Sequence, residues 1–180
     1  TGSFPPVVSE ASTYTLYTQR LAAFADTTVP IAPGLSLNAG LRAEGAQKRM
    51  DRTTLVPVGD SYVVSSRSAA LLPQARLAWD CSPGVGLFAS LGGGYKPGGF
   101  SAFTGNRALS AFGPERTVGA EFGMEAATRD KTLRWGTRVF AYDIHGYQIE
   151  RSFATGAAAD DYLVVNAPRA RSAGFESELA

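Results

Sequence analysis

Few side chains in this sequence are placed to do chemistry. His145 is the only histidine and Cys81 the only cysteine. An internal disulfide and a Cys-based zinc site are therefore excluded, and a catalytic triad would need another base. Glu121 with Glu125, and Glu176 with Glu178, are spaced to share one face of a strand. Paired carboxylates hydrolyse glycosides, but arginines at matching positions make ion pairing the better account. Asp160-Asp161 has charge for Ca²⁺ without the oxygen-rich ligand series such a site needs, and reads as a loop-end pair. Gly92, Gly93, Gly94, Gly98 and Gly99 surround Lys96 like a phosphate cradle. The Gly-Lys-Ser/Thr order is missing, however, and Pro97 blocks the helix that should follow. The expectation is a protein that is not an enzyme and carries no cofactor or metal.

The elements that would position these groups are strands. The chain has 180 residues, enough for one domain, with 44% hydrophobic and 18% charged residues. The charged share is below the ~25% usual for soluble domains. Net charge is +1, from 17 basic and 16 acidic side chains. Composition thus makes no electrostatic case for nucleic acid or for anionic lipid headgroups. No run approaches the ~20 apolar residues of a membrane helix, and no signal peptide opens the chain. Neither fact bears on transmembrane strands, which are short and only half apolar. The first residues, Thr1-Gly2, and the last, inside an alternating run, read as the ends of a fragment.

Period-2 alternation predicts strands at about 14–29, 35–44, 72–80, 85–95, 117–126 and 133–142. Two more are predicted at 161–166 and 170–179, on either side of a Pro168 turn. Leu35, Leu37, Ala39, Leu41 and Ala43 alternate with Ser36, Asn38, Gly40, Arg42 and Glu44. Short turns at 30–34, 81–84 and 128–131 alternate with long polar segments at 45–70, 96–114 and 145–160. Long loops gathered at one end suit a membrane barrel better than a soluble sandwich. The reading is all-β: an antiparallel up-and-down meander of about eight strands, a segment of a transmembrane β-barrel. Trp79 and Trp135 near short turns, and Tyr17 and Tyr95 near long loops, lie on the apolar parity, as aromatic girdles do. Placing Arg129 and Asp130 at the hairpin centre sets Glu125 opposite Arg134, Glu121 opposite Arg138, and Gly119 opposite Phe140. The first hairpin likewise sets Arg20 opposite Glu44 and Phe24 opposite Gly40.

A run at the centre of the chain carries a resemblance. Gly94-Tyr95-Lys96-Pro97-Gly98-Gly99-Phe100 is followed by Pro114-Glu115 and by Asn166-Ala167-Pro168-Arg169-Ala170-Arg171-Ser172-Ala173-Gly174-Phe175-Glu176. Together with the upstream Ala39-Gly40-Leu41-Arg42-Ala43-Glu44, this resembles the mid-barrel signature of TonB-dependent outer-membrane receptors. That family usually has glycine where Pro168 stands. The resemblance implies a barrel of ~22 strands with a plugged lumen, in the outer membrane of a Gram-negative bacterium. It implies uptake of a scarce ligand, most often a ferric siderophore, energised by a TonB complex through a TonB box. Plug domain, TonB box and barrel C-terminus would lie outside these residues, leaving wall and outer loops. Expected partners are the lipid bilayer, the TonB complex and an iron-siderophore, with no nucleic acid.

Function should reside in the long loops. Phe100, Phe103, Asn106, Arg107 and Phe112 share one of them. Aromatics beside a cation suit an anionic chelate and suit loop packing equally well. Two alternatives stay open: a complete eight-stranded barrel with a structural or adhesin role, and a soluble β-sandwich binding module.

Overall fold

The computed structural model describes residues 11–56, 61–130, 132–154 and 160–180. Side chains at 153, 154, 160 and 161 lie outside that description, and with them the Asp160-Asp161 pair; so does Lys131 of the expected tight turn. The alternating runs form β1 (Ala11–Ala32), β2 (Leu35–Val56), β3 (Tyr62–Ser82), β4 (Val85–Lys96), β7 (Glu115–Ala127), β8 (Arg134–Ala154) and β9 (Asp160–Leu179). Between β4 and β7 lie two-residue strands β5 (Gly99–Phe100) and β6 (Ala111–Phe112), and one helical turn, α1 (Arg107–Ser110). The seven long strands make one antiparallel sheet in the order β1-β2-β3-β4-β7-β8-β9, with β5-β6 as a separate ribbon. This is the up-and-down meander expected. Among the described residues β1 and β9 remain edges, so the sheet does not close on itself.

Three boundaries differ from expectation. The segments 45–56, 62–71 and 145–154 are strand, not loop. Their polar composition hid an alternation that continues beyond the apolar band. β1, β2, β3, β8 and β9 run 20 to 22 residues, against the ~10 a tilted strand needs to cross a bilayer. The two strands expected around Pro168 are one. Proline has no N–H to give a ladder, but the ladder is interrupted here anyway. His145↔Arg169 and Tyr147↔Ala167 pair, while Gly146, at φ 64°, and Pro168 between them do not.

Apolar positions align into rows across the whole sheet. Val29, Leu37, Leu77, Ala89, Phe122, Val139 and Phe175 are joined by successive pairings. Leu37 is half-buried, and the other large side chains of the row are open to the outside, from Leu77 at 41% to Phe175 at 67%. Among the described residues, the buried hydrophobic side chains that form a core are Met50, Tyr62, Phe88 and Leu163. So continuous an exposed apolar band lacks the second layer that a soluble sandwich would supply. Trp79 and Trp135 stand at its short-turn edge, and Trp135 Nε1 donates to Ser177 Oγ at 2.8 Å.

The opposite face is polar and glycine-rich, and its aromatic rings lie over bare backbone. Tyr142 covers Gly119, Phe140 covers Gly174 and Phe88 covers Gly123. A Cβ on any of the three would stand 2.0 to 2.6 Å from a ring carbon. Ring-over-glycine was expected, but the register is two residues away. Glu125 pairs with Gly136 and Glu121 with Phe140; Arg20 pairs with Ala46 and Phe24 with Arg42. An even displacement leaves every side chain on its expected face. The turns set the difference. Pro33-Gly34 and Pro83-Gly84 carry the Pro-then-positive-φ-Gly order of a type II turn, with Gly34 at 73° and Gly84 at 78°. The β7–β8 loop is wider than a two-residue turn: Thr128 N donates to Leu133 O at 3.0 Å. Asp130 Oδ1 gathers the Thr128 and Thr132 hydroxyls at 2.6 and 2.8 Å.

Two outcomes are expected of this architecture in the full-length protein. At Gly84 a Cβ would meet Ala127 O at 2.4 Å, whereas at Gly136 it meets nothing within 4 Å. Gly84→Ala should therefore cost about 2 kcal/mol in urea unfolding, and Gly136→Ala less than about 0.5. Equal effects would show that turn geometry does not limit the fold. The Asp130 carboxyl is held below its ordinary range, first by the Thr128 hydroxyl and then by Thr132. A depressed folded value means the contribution is complete above the ordinary carboxyl pKa, about pH 4, and lost as pH falls through the folded one. Hydrogen exchange at the Thr132 amide should accelerate in acid relative to its intrinsic rate, and Asp130→Asn should abolish that pH dependence.

Candidate functional site

The long connection between β4 and β7 folds back over the polar face, tied to strands on both sides. Its foot is the Pro97-Gly98-Gly99 run, which is buried. A Cβ on Gly98 would lie 2.5 Å from Phe112 O, and one on Gly99 2.7 Å from the Phe112 ring. Only glycine lets β5 and β6 approach this closely. Gln148 of β8 clamps the two ends of the connection, donating from Nε2 to Pro97 O at 3.2 Å and Gly113 O at 3.0 Å. Its backbone N–H donates to Glu115 Oε2 at 2.8 Å. Asn166 of β9 accepts from Gly113 N at 2.6 Å and donates to Gly113 O and Gly146 O at 3.0 and 2.6 Å. Pro97, Gly98, Gly99, Glu115 and Asn166 thus meet in one polar knot. Pro114 O lies 2.7 Å from where a Cβ on Gly146 would stand.

On the other side the connection rests on β2 and β3. Arg52, only 2% exposed, donates from Nε to Ala102 O at 3.1 Å, and from its terminal nitrogens to Thr54 Oγ1 and Ser12 Oγ. Its guanidinium carbon lies 5.8 Å from the Tyr62 ring centroid. Tyr62 donates its hydroxyl to Thr104 O at 2.9 Å. Ser101 N donates to Ser110 O at 2.7 Å, and Ser101 Oγ accepts from Val164 N of β9 at 2.9 Å. The connection therefore spans from β2–β3 to β8–β9.

The five loop residues singled out in the sequence divide into two groups. Phe100 pairs with Ala111 in the β5–β6 ribbon, and the Phe112 ring packs on Gly99. Phe103 is 66% exposed and stands edge-on to Tyr14 of β1, ring centroids 6.3 Å apart. Asn106 Oδ1 accepts from Ala108 N at 2.9 Å and caps α1. Arg107 is exposed. Asn106, Arg107 and Ala108 line a cleft of ≈ 880 Å³ whose other wall is Ser61, Tyr62 and Val64 of the β3 region. Arg52, Tyr62 and Gln148 were not legible as site residues. They lie in segments read as loop, and only their period-2 continuation of β2, β3 and β8 would have signalled them.

The remaining motif residues have structural positions. Gly94 sits opposite Thr117. Tyr95 lies beneath Arg116, whose guanidinium carbon is 5.2 Å from the ring centroid. Ala167 and Ala170 pair with Tyr147 and Ile144, and Gly174 with Phe140. Below the knot the polar face carries ion pairs. Arg138 binds Glu176 at 2.6 Å and Glu121 at 3.6 Å, and Arg76 binds Glu125 at 3.4 Å. The Arg76 guanidinium lies 3.7 Å from the centroid of the Phe88 ring.

Comparison with known proteins places this geometry. A family model described as "TonB dependent receptor-like, beta-barrel" matches residues 1–180. Among solved structures, the ferric yersiniabactin uptake receptor FyuA from Yersinia pestis aligns with TM-score 0.77 and 19% identity, over 93% of this chain and 25% of that one. The copper transporter OprC aligns with TM-score 0.76 and 18% identity, over 91% and 26%. The siderophore receptor PiuA from Acinetobacter baumannii gives 0.71 and 17%, over 92% and 23%. This chain thus spans about a quarter of their length. With the open meander, the exposed apolar rows and the inward-folded connection, the match leads to one conclusion: the chain belongs to the TonB-dependent receptor-like β-barrel family.

Proposed function

We propose that this chain forms wall and outer-loop surface of an outer-membrane receptor that imports a ferric siderophore, driven by a TonB complex acting on parts of the protein outside these residues. The observation carrying this reading is the β4–β7 connection. Its foot is locked by Gln148, Asn166, Arg52 and Tyr62, while Asn106 and Arg107 line a cleft of ≈ 880 Å³ and Phe103 stays exposed nearby in sequence. A fixed scaffold presenting an aromatic and a cationic group at its tip suits a large, flat, anionic chelate. Family membership supports membrane uptake in general. The iron-chelate reading draws on receptors of similar fold described as binding yersiniabactin or siderophores.

In a strain deleted for the full gene, growth should slow under iron limitation and match the parent in iron-rich medium. Equal growth in both would count against iron. In the full-length receptor, Phe103→Ala with Arg107→Ala should weaken binding of the cognate ferric chelate roughly tenfold, the loss of one or two modest contacts, with the amount of folded receptor unchanged. Arg52→Ala should act differently. It removes a buried cation that joins the connection to β1 and β2 through part-buried hydrogen bonds and should cost about 2–3 kcal/mol of local stability, read as protease cleavage within 97–114. An uncleaved Arg52→Ala protein would refute the lock.

A further inference from the structure

Net charge gives no reason to expect a lipid-phosphate site, but the sheet register gathers charge that the sequence scatters. Tyr95, Arg116, His145 and Arg169 fall in one row across β4, β7, β8 and β9. The next row toward the short turns contains Gly93, Val118, Asp143 and Arg171. Both rows lie on the parity of Phe122, Val139 and Phe175, which is the outward apolar face. Immediately below them that face is Leu91, Ala120, Ala141 and Ala173. Arg116 Nη2 reaches across Tyr95 to Ala69 O on β3 at 3.3 Å, two positions from the outward, exposed Arg67. Four arginines thus form a stripe at the line where the apolar band ends.

One carboxylate, Asp143, sits within the stripe. It binds Arg169, with Nε at 2.6 Å from Oδ1, and lies 3.4 Å from His145 and 3.9 Å from Arg171. Arg171 keeps a side chain 71% exposed. The other outward acid on β2, Asp51, is taken by Arg49 at 2.8 Å. The stripe therefore has a surplus of guanidinium donors, whose planar forks match phosphate oxygens in pairs. It lies at the depth where the headgroups of a bilayer surrounding the apolar band must lie.

We propose that Arg67, Arg116, Arg169 and Arg171 form a binding stripe for phosphate-bearing lipid headgroups at the long-loop edge of the membrane band. This rests on the membrane reading above, and the test separates the two. The full-length receptor is reconstituted into phosphatidylcholine vesicles with trace spin-labelled phosphatidic acid or spin-labelled phosphatidylcholine. The fraction of motionally restricted label gives the selectivity of the protein surface. Wild type should prefer phosphatidic acid by roughly fivefold or more, the expected gain from one or two arginines near an anionic headgroup. Arg116→Gln/Arg169→Gln/Arg171→Gln should bring the preference to about one, and Arg49→Gln should leave it unchanged. If the triple variant does not fold, Arg171→Gln alone should still reduce the preference severalfold. Absence of preference in wild type, or equal preference in the stripe variants, overturns the proposal. So does loss of preference in excess inorganic phosphate at matched ionic strength, which would assign the stripe to the free anion. Quenching of Trp79 and Trp135 by brominated phosphatidylcholine reports insertion separately. Without quenching the membrane reading itself fails and the stripe falls with it; quenching without selectivity removes the stripe alone.

Discussion

Backbone pairing carries this structure because there is almost no apolar interior to do so. Among the described residues, Met50, Tyr62, Phe88 and Leu163 form the buried hydrophobic core, far too few to hold a sheet of seven strands by the hydrophobic effect. The apolar rows face outward instead. In a lipid environment every backbone N–H and C=O must be satisfied internally, which for strands means unbroken ladders. The β1–β2 ladder runs from Ala11↔Val56 to Ala32↔Leu35 with shifts only at its two ends. Pro168 is tolerated where Gly146 already leaves the ladder.

The polar face shows which forces set register and which follow it. An ion pair in a wet lumen is worth ~1 kcal/mol or less, and long side chains reach diagonally. Arg138 finds both Glu121 and Glu176 although Phe140 is the residue opposite Glu121. Charge pairing therefore tolerates a two-residue displacement. The turns do not: Gly34 and Gly84 take positive φ with a strand backbone pressed against them. The rings of Phe88, Phe140 and Tyr142 lie over the glycine directly opposite each, shielding backbone that glycine leaves bare.

The β4–β7 connection couples wall to loop. It is anchored at β2–β3 by Arg52 and Tyr62 and at β8–β9 by Gln148 and Asn166, so residues 42 to 53 positions away in sequence hold it in place. The extended outer halves of these strands have a purpose here: they carry the anchors beyond the apolar band. At the tip, Phe103 and Arg107 are exposed, and their side chains make no anchoring hydrogen bond among the described ones.

Sequence alone determined the class and direction of this fold. Strict alternation from Leu35 to Glu44, and again from Thr117 to Ala126, assigns each side chain to a face, because a strand has period two whatever its partners. Pro-Gly turns marked one end, and the Pro97-Gly98-Gly99 break marked the other. Tertiary structure decided how far strands run, since polar alternation at 45–56 and 145–154 looks like loop until neighbours pair with it. It decided register, because turn width depends on bonds such as those Asp130 makes to Thr128 and Thr132, and composition does not reveal them. It decided the anchors and the arginine stripe for the same reason: Arg52 meets Ala102, and Arg116 lines up with Arg169, only once distant strands lie side by side.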